Sequence, residues 1–182
     1  MNTSEFLDAF ERTFKARVPF ILVQTTERSR AVELIRDVCA RQSVTAYVHT
    51  LSKGTLDITT NRVCNEDRSV IGAVDFAAQQ MMQRHSLTFV LTELDDVDTD
   101  SAFARQLLDT VILASEKGGA IVAVTTKTVW SQVQRLGVSL MLSPPDQDET
   151  YINISRQIDD YRNIMPVEWD EGDMRRAATI LG

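Results

Sequence analysis

Strand-length apolar runs alternate with segments of helical period along most of this chain, and few folds satisfy that pattern. Phe20-Ile21-Leu22-Val23 is continuous and apolar, the kind of run that a parallel sheet buries on both faces. Four more strands are expected at Val44 to Leu51, Ser86 to Thr92, Ala120 to Thr125 and Val138 to Leu142. Between them apolar residues recur at three-to-four spacing: Ala31, Leu34, Ile35, Val38 and Cys39; then Ile71, Val74, Phe76, Ala77 and Met81 within Ser69 to Arg84. A further helix runs from Ser101 to Lys117 and is closed by Gly118-Gly119. A short one carries Val129, Trp130, Val133 and Leu136, with Gly137 as its stop. Strands alternating with helices in this way imply βαβ units, hence a doubly wound, five-stranded parallel α/β sheet in three layers.

The flanks divide the chain further. Residues 1–17 read as an amphipathic helix with Phe6, Leu7, Phe10 and Phe14 inward, residues 18–145 as the α/β core, and residues 146–182 as a helical appendage open to truncation. That appendage is polar and acidic, with helices expected near 154–164 and 170–181. Ser52 to Arg68, polar and turn-rich, reads as a loop or a small hairpin insertion.

Composition narrows the function classes. A net charge of −7 argues against sequence-independent nucleic-acid binding, which needs a basic surface, and against an anionic membrane. No apolar run reaches the ~20 residues of a bilayer span, and the N-terminus lacks the basic-then-apolar pattern of a signal peptide, so a cytoplasmic protein is expected. Cys39 and Cys64 are far apart, fit no paired metal spacing, and read as reduced thiols.

Ligands of open α/β sheets collect beyond the carboxyl ends of the strands. After the first strand stands Gln24-Thr25-Thr26-Glu27-Arg28-Ser29-Arg30, without a glycine. Neither G-x-x-x-x-G-K-[ST] nor G-x-G-x-x-G occurs, so backbone amides have no glycine-rich loop with which to wrap a phosphate. After the third strand comes Thr92-Glu93-Leu94-Asp95, a carboxylate just past a buried run. Glu93 is the catalytic candidate, and Thr25, Thr26, Arg28, Arg30, Thr92, Asp95 and Thr126 are the ligand-binding candidates. The blander expectation for Glu93 is a strand-end carboxylate paired with Arg30.

No metal is expected: Asp96-x-Asp98-x-Asp100 opens like a calcium loop, but Ser101 and Leu107 occupy the glycine and glutamate positions. Asp98, Thr99 and Asp100 are better read as capping the next helix. His49 and His85 lack partners at triad or metal spacing, and no hydrolase signature is present. Trp130 and Trp169 read as packing residues and Cys39 as a small hydrophobe on a helix face.

The Thr25-x-Glu27-x-x-Arg30 loop, the Lys53-Gly54 turn after the second strand, the Glu93 strand and the Thr126 strand together resemble the AAA+ ATPase core. The chain is most similar to the degenerate N-terminal domain of the chloroplast-reading-frame type of AAA+ ATPases, over roughly Val18 to Pro145. That resemblance implies a RecA-like strand order of 5-1-4-3-2, with Thr92 at the place of the magnesium-supporting Asp and Thr126 at that of a γ-phosphate sensor. It implies no cofactor in this chain, ATP and Mg²⁺ bound elsewhere in the full-length protein, and a nonhydrolytic assembly domain whose partners are an ATPase domain or neighbouring subunits, as in a homo-oligomer. Two alternatives stay open: an atypical ATPase using Glu93, and an unrelated α/β domain binding a protein or small anion at Arg28 and Arg30.

Overall fold

The computed structural model describes residues 1–94 and 97–181, in two compact units that meet in sequence at Leu142 and Ser143. The first opens with α1 (Thr3–Lys15) and β1 (Phe20–Gln24), then α2 (Arg28–Arg41) and β2 (Ala46–Thr50). It continues through β3 (Gly54–Asp57), β4 (Val63–Asn65), α3 (Val70–Gln83), β5 (Thr88–Leu91), α4 (Ala102–Lys117), β6 (Ala120–Thr125), α5 (Ser131–Gln134) and β7 (Gly137–Met141). The second holds α6 (Gln147–Arg162) and α7 (Glu171–Leu181).

One sheet of seven strands runs in the order β4-β3-β2-β5-β6-β1-β7. Two strands exceed the expected five, because the stretch after β2 folds back as β3, antiparallel to β2, and then as β4, antiparallel to β3. The remaining five are parallel and, numbered among themselves along the chain, lie in the order 5-1-4-3-2. Gly54 makes the fold-back: its φ is +77°, and a Cβ there would lie 2.4 Å from the Asn65 carbonyl oxygen.

The central strands are buried on both faces, and their alternation builds two cores. Phe20, Leu22, Phe89, Leu91, Ile121 and Ala123 face α3, α4 and α5, where the Tyr47 and Phe89 rings stack at 4.8 Å and Phe76 meets both edge-on. Ile21, Val23, Val90, Val122 and Val124 face α1 and α2, with Phe6 and Phe10 fully buried beneath a stacked ladder that reaches Phe14.

Local chemistry sets the helix ends. Ser69 and Ser101 each accept a backbone N–H three residues on, at 3.0 Å. Asp100 pairs with Arg105 and Ser101 takes the cap, against the expectation for Asp98 to Asp100. Gly118 ends α4 in the left-handed region at φ 64°. The helix-to-strand turns before β1, β2 and β5 make the same excursion with Arg17, Ser43 and Ser86 at φ 52–57°. Gly137 is the first residue of β7 rather than a helix stop, and a Cβ there would meet the Phe20 carbonyl oxygen at 1.9 Å.

Two side chains sit differently from expectation. Ile71 is 54% exposed on the outer face of α3, and Trp169 is 45% exposed rather than packed. His49 is buried at 1% exposure on β2. In the second unit Asp146 caps α6, and Thr150, Ile158, Met174 and Ala178 are its buried residues.

Candidate functional site at the carboxyl edge of the sheet

β1, β2, β5 and β6 all end on one side, so the loops that follow them converge there. Thr25 continues the ladder past β1, donating its N–H to the Thr125 carbonyl at 3.2 Å, and is nearly buried. Its hydroxyl accepts the Glu27 N–H at 3.0 Å. Helix α2 therefore starts at Arg28 behind Glu27, whose side chain makes no capping bond, rather than behind a threonine cap.

Glu93 lies just beyond β5 and is held from two sides. Its Oε1 takes the Arg28 guanidinium, and its Oε2 accepts the Leu51 N–H from the end of β2 at 2.6 Å. One carboxylate thus ties together the ends of β2 and β5 and the first residue of α2. Arg30, the expected partner of Glu93, turns instead to Glu27 at 2.6 Å and to the Thr3 hydroxyl on α1. The reason is helical geometry: two residues along α2 rotate a side chain by about 200°, so Arg28 and Arg30 face opposite ways.

Thr92 is 2% exposed and donates its hydroxyl to the His49 carbonyl at 2.8 Å, joining β5 to β2. Burial lowers the pKa of His49, opposed by the Arg68 backbone, Glu93 and Asp67. Thr26 and Thr126 line a cleft of ≈ 250 Å³ with Thr25, Arg28, Glu93 and Lys127. A second cleft of ≈ 380 Å³ opens between α2 and the hairpin, lined by Arg36, Thr50, Lys53 and Leu56. Arg28, Thr92 and Glu93 border both, so the ion pair is their common wall. Of the candidates, Thr25, Thr26, Arg28, Thr92, Glu93 and Thr126 come together here; Arg30 lines neither cleft, and Asp95 lies outside the described residues.

The part played by the Leu51 N–H carries no sequence signal, because a backbone donor has no residue type. Among the described residues no cluster of three His, Cys, Asp or Glu could hold a metal ion, and no helix is long and apolar enough to cross a membrane.

The turn from β1 into α2 consists of Thr25, Thr26 and Glu27, with no glycine among them. At the helix N-terminus, where an anion would gain from the dipole, the Glu27 carboxylate is already present and the Glu27 N–H is already used.

The family model for the N-terminal domain of SpoVK-like AAA ATPases matches residues 6–141. The chain belongs to that family. The matched span covers most of the first unit of this SpoVK-like N-terminal domain and leaves α6 and α7 outside it. No curated protein matches the sequence.

A chain from the structure of the HORMA–CdnC–Trip13 complex of E. coli MS115-1 superposes with a TM-score of 0.62 at 9% identity, over 97% of this chain and 72% of that one. A chain from the structure of Rhizobiales Trip13 gives 0.49 at 12% identity, over 82% of this chain and 54% of that one. The first likeness speaks to the fold alone, and the second is too loose to support an argument.

Proposed function

We propose that this SpoVK-like N-terminal domain is a nonhydrolytic AAA+-like assembly module, a rigid sheet that docks partner domains or neighbouring subunits while another domain or subunit binds ATP and Mg²⁺ and hydrolyses the nucleotide. The observation that carries the reading is the doubly held Glu93. Each oxygen of this carboxylate already holds a donor of the protein, Arg28 on one and the Leu51 N–H on the other, which fits a group that fastens neighbouring elements better than one left free to position a water. The two clefts are then what remains of the edge on either side of a structural tie.

Two further facts support the reading. The family is defined as an N-terminal domain of AAA ATPases, and the fold neighbour belongs to a complex of several proteins. In this reading the chemistry of the edge is mechanical: Glu93 fastens the ends of β2 and β5 to the start of α2. The pair is partly exposed, Arg28 at 51% and Glu93 at 24%, so its Coulomb part contributes at most about 1 kcal/mol.

Phosphate release from ATP with Mg²⁺, measured on the purified chain and on Glu93→Gln, tests the proposal. Release at the blank rate from both proteins is expected. Turnover by the parent that Glu93→Gln abolishes would establish an atypical ATPase and refute the reading.

A further inference from the structure

The assembly role has a place on the molecule with its own chemistry, in the second unit. α6 and α7 share a thin interior of Thr150, Ile158, Met174 and Ala178. Two helices with so little between them ordinarily need a third element to complete a core. Seven of the fourteen large apolar side chains exposed among the described residues fall in this short unit.

Four of these follow closely in sequence where α6 ends: Tyr161 at 56%, Ile164 at 78%, Met165 at 54% and Trp169 at 45% exposure. They are held in place. The N–H groups of Ile164 and Met165 both donate to the Tyr161 carbonyl, at 2.8 and 2.9 Å. Arg162 reaches forward to the Trp169 carbonyl at 2.7 Å and back to Asp159 at 3.2 Å, fastening the following segment to the helix. A tryptophan, a tyrosine, an isoleucine and a methionine exposed within one short segment have the composition of an interface centre.

The charge around this patch selects the partner. Residues 143–182 carry nine carboxylates against four arginines, which is −5 of the chain's −7. Three of those arginines are already matched within the unit: Arg162 by Asp159, Arg175 by Glu171, and Arg176 by Asp173. Asp160 and Glu168, next to Tyr161 and Trp169 in sequence, have no cation within salt-bridge distance among the described residues.

We infer that the C-terminal turn of α6 is a docking site for a basic amphipathic helix, its apolar stripe laid on Tyr161, Ile164, Met165 and Trp169 and its Lys or Arg side chains meeting Asp160 and Glu168. The inference rests on the assembly reading and names its surface. An apolar stripe at helical spacing is the natural complement of a short helix-end patch, and opposite charge at the rim sets orientation and partner choice.

The test titrates the full chain with designed helical peptides of about 18 residues, five turns of helix, free of tryptophan so that Trp169 fluorescence reports contact. One places Leu in a stripe among Lys, one replaces Lys by Glu, and one scrambles the Leu/Lys order to break the stripe. The ordered Leu/Lys peptide is expected to bind and shift the emission to the blue, with Ile164→Ser weakening it by ~10-fold or more. The double substitution Asp160→Lys, Glu168→Lys should move the preference to the Leu/Glu peptide while circular dichroism stays unchanged.

Equal binding of the scrambled peptide, or no binding of any, would overturn the inference. So would a concentration-dependent dimer in sedimentation that Ile164→Ser abolishes, which would make a second copy the occupant. Failure here leaves ATP silence untouched, whereas ATP turnover would refute the assembly reading whatever the peptides do.

Discussion

Gly137→Ala is the substitution whose effect the sheet determines most directly. An added Cβ would lie 1.9 Å from the Phe20 carbonyl oxygen, 2.6 Å from its carbon and 2.8 Å from Phe20 Cβ. Carbon and oxygen rest no closer than about 3.3 Å, so β7 must retreat from β1 by about 1.4 Å near its start. A ladder bond of about 2.9 Å stretched by that much is no longer a hydrogen bond. The register Phe20↔Gly137 through Gln24↔Met141 starts at this contact, and the atoms in the way are backbone, which has no rotamer to escape into.

Losing two or three ladder bonds at about 1 kcal/mol each predicts a destabilisation of about 2–3 kcal/mol, in the range of forced overpacking. Urea unfolding followed by circular dichroism measures it, and hydrogen exchange should locate the loosened amides in β1 and β7. A change under about 0.5 kcal/mol, or protection lost evenly over the molecule, would refute the view that glycine sets this strand spacing.

Other substitutions and reagents probe other parts of the account. Ser43→Gly and Ser86→Gly relieve left-handed backbone at φ 52° and 57°, and each should raise stability by about 0.5–1 kcal/mol in thermal unfolding. Because burial lowers the pKa of His49 below its unfolded value of 6.5, the native state resists its protonation. Stability is then complete above about pH 6.5 and falls as the pH drops through that value; His49→Gln should flatten this slope in urea titrations between about pH 7 and 5. Cys39 is fully buried with its thiol pushed up to about 11, whereas Cys64 is exposed. A thiol reagent should therefore titrate one group in the native protein and two after denaturation.

Much of the first unit was legible because its signals are local. Phe20 to Val23 reads as a doubly buried strand from composition alone, and it is one. Ser69 and Gly118 act at the helix ends where their types predict, whereas the cap of α4 falls to Ser101 and not to Asp98, Thr99 or Asp100. The strands β3 and β4 were only half legible: each is short, and β4 is mostly exposed, so no apolar period marks them. Gly137 was misread because its meaning comes from Phe20, distant in sequence.

At the candidate site, the threonines and Glu93 stood out by their position after strands, but the partner of Glu93 did not. Choosing Arg28 over Arg30 requires the rotation of α2 relative to the sheet, and the Leu51 N–H requires the end of β2. Trp169 reads as a packing residue in the sequence, yet it is 45% exposed. Its exposure follows from the Arg162 tether, a contact formed only once α6 has folded.

Isothermal titration of ATP with Mg²⁺ into the full chain, with Glu93→Gln in parallel, bears most directly on the claim that Glu93 is a structural tie and not part of a nucleotide site. The account predicts no heat of binding from either protein and no shift in melting temperature. Micromolar binding to the parent that Glu93→Gln alters would contradict it, since that carboxylate would then be exchanging Arg28 and Leu51 for the nucleotide.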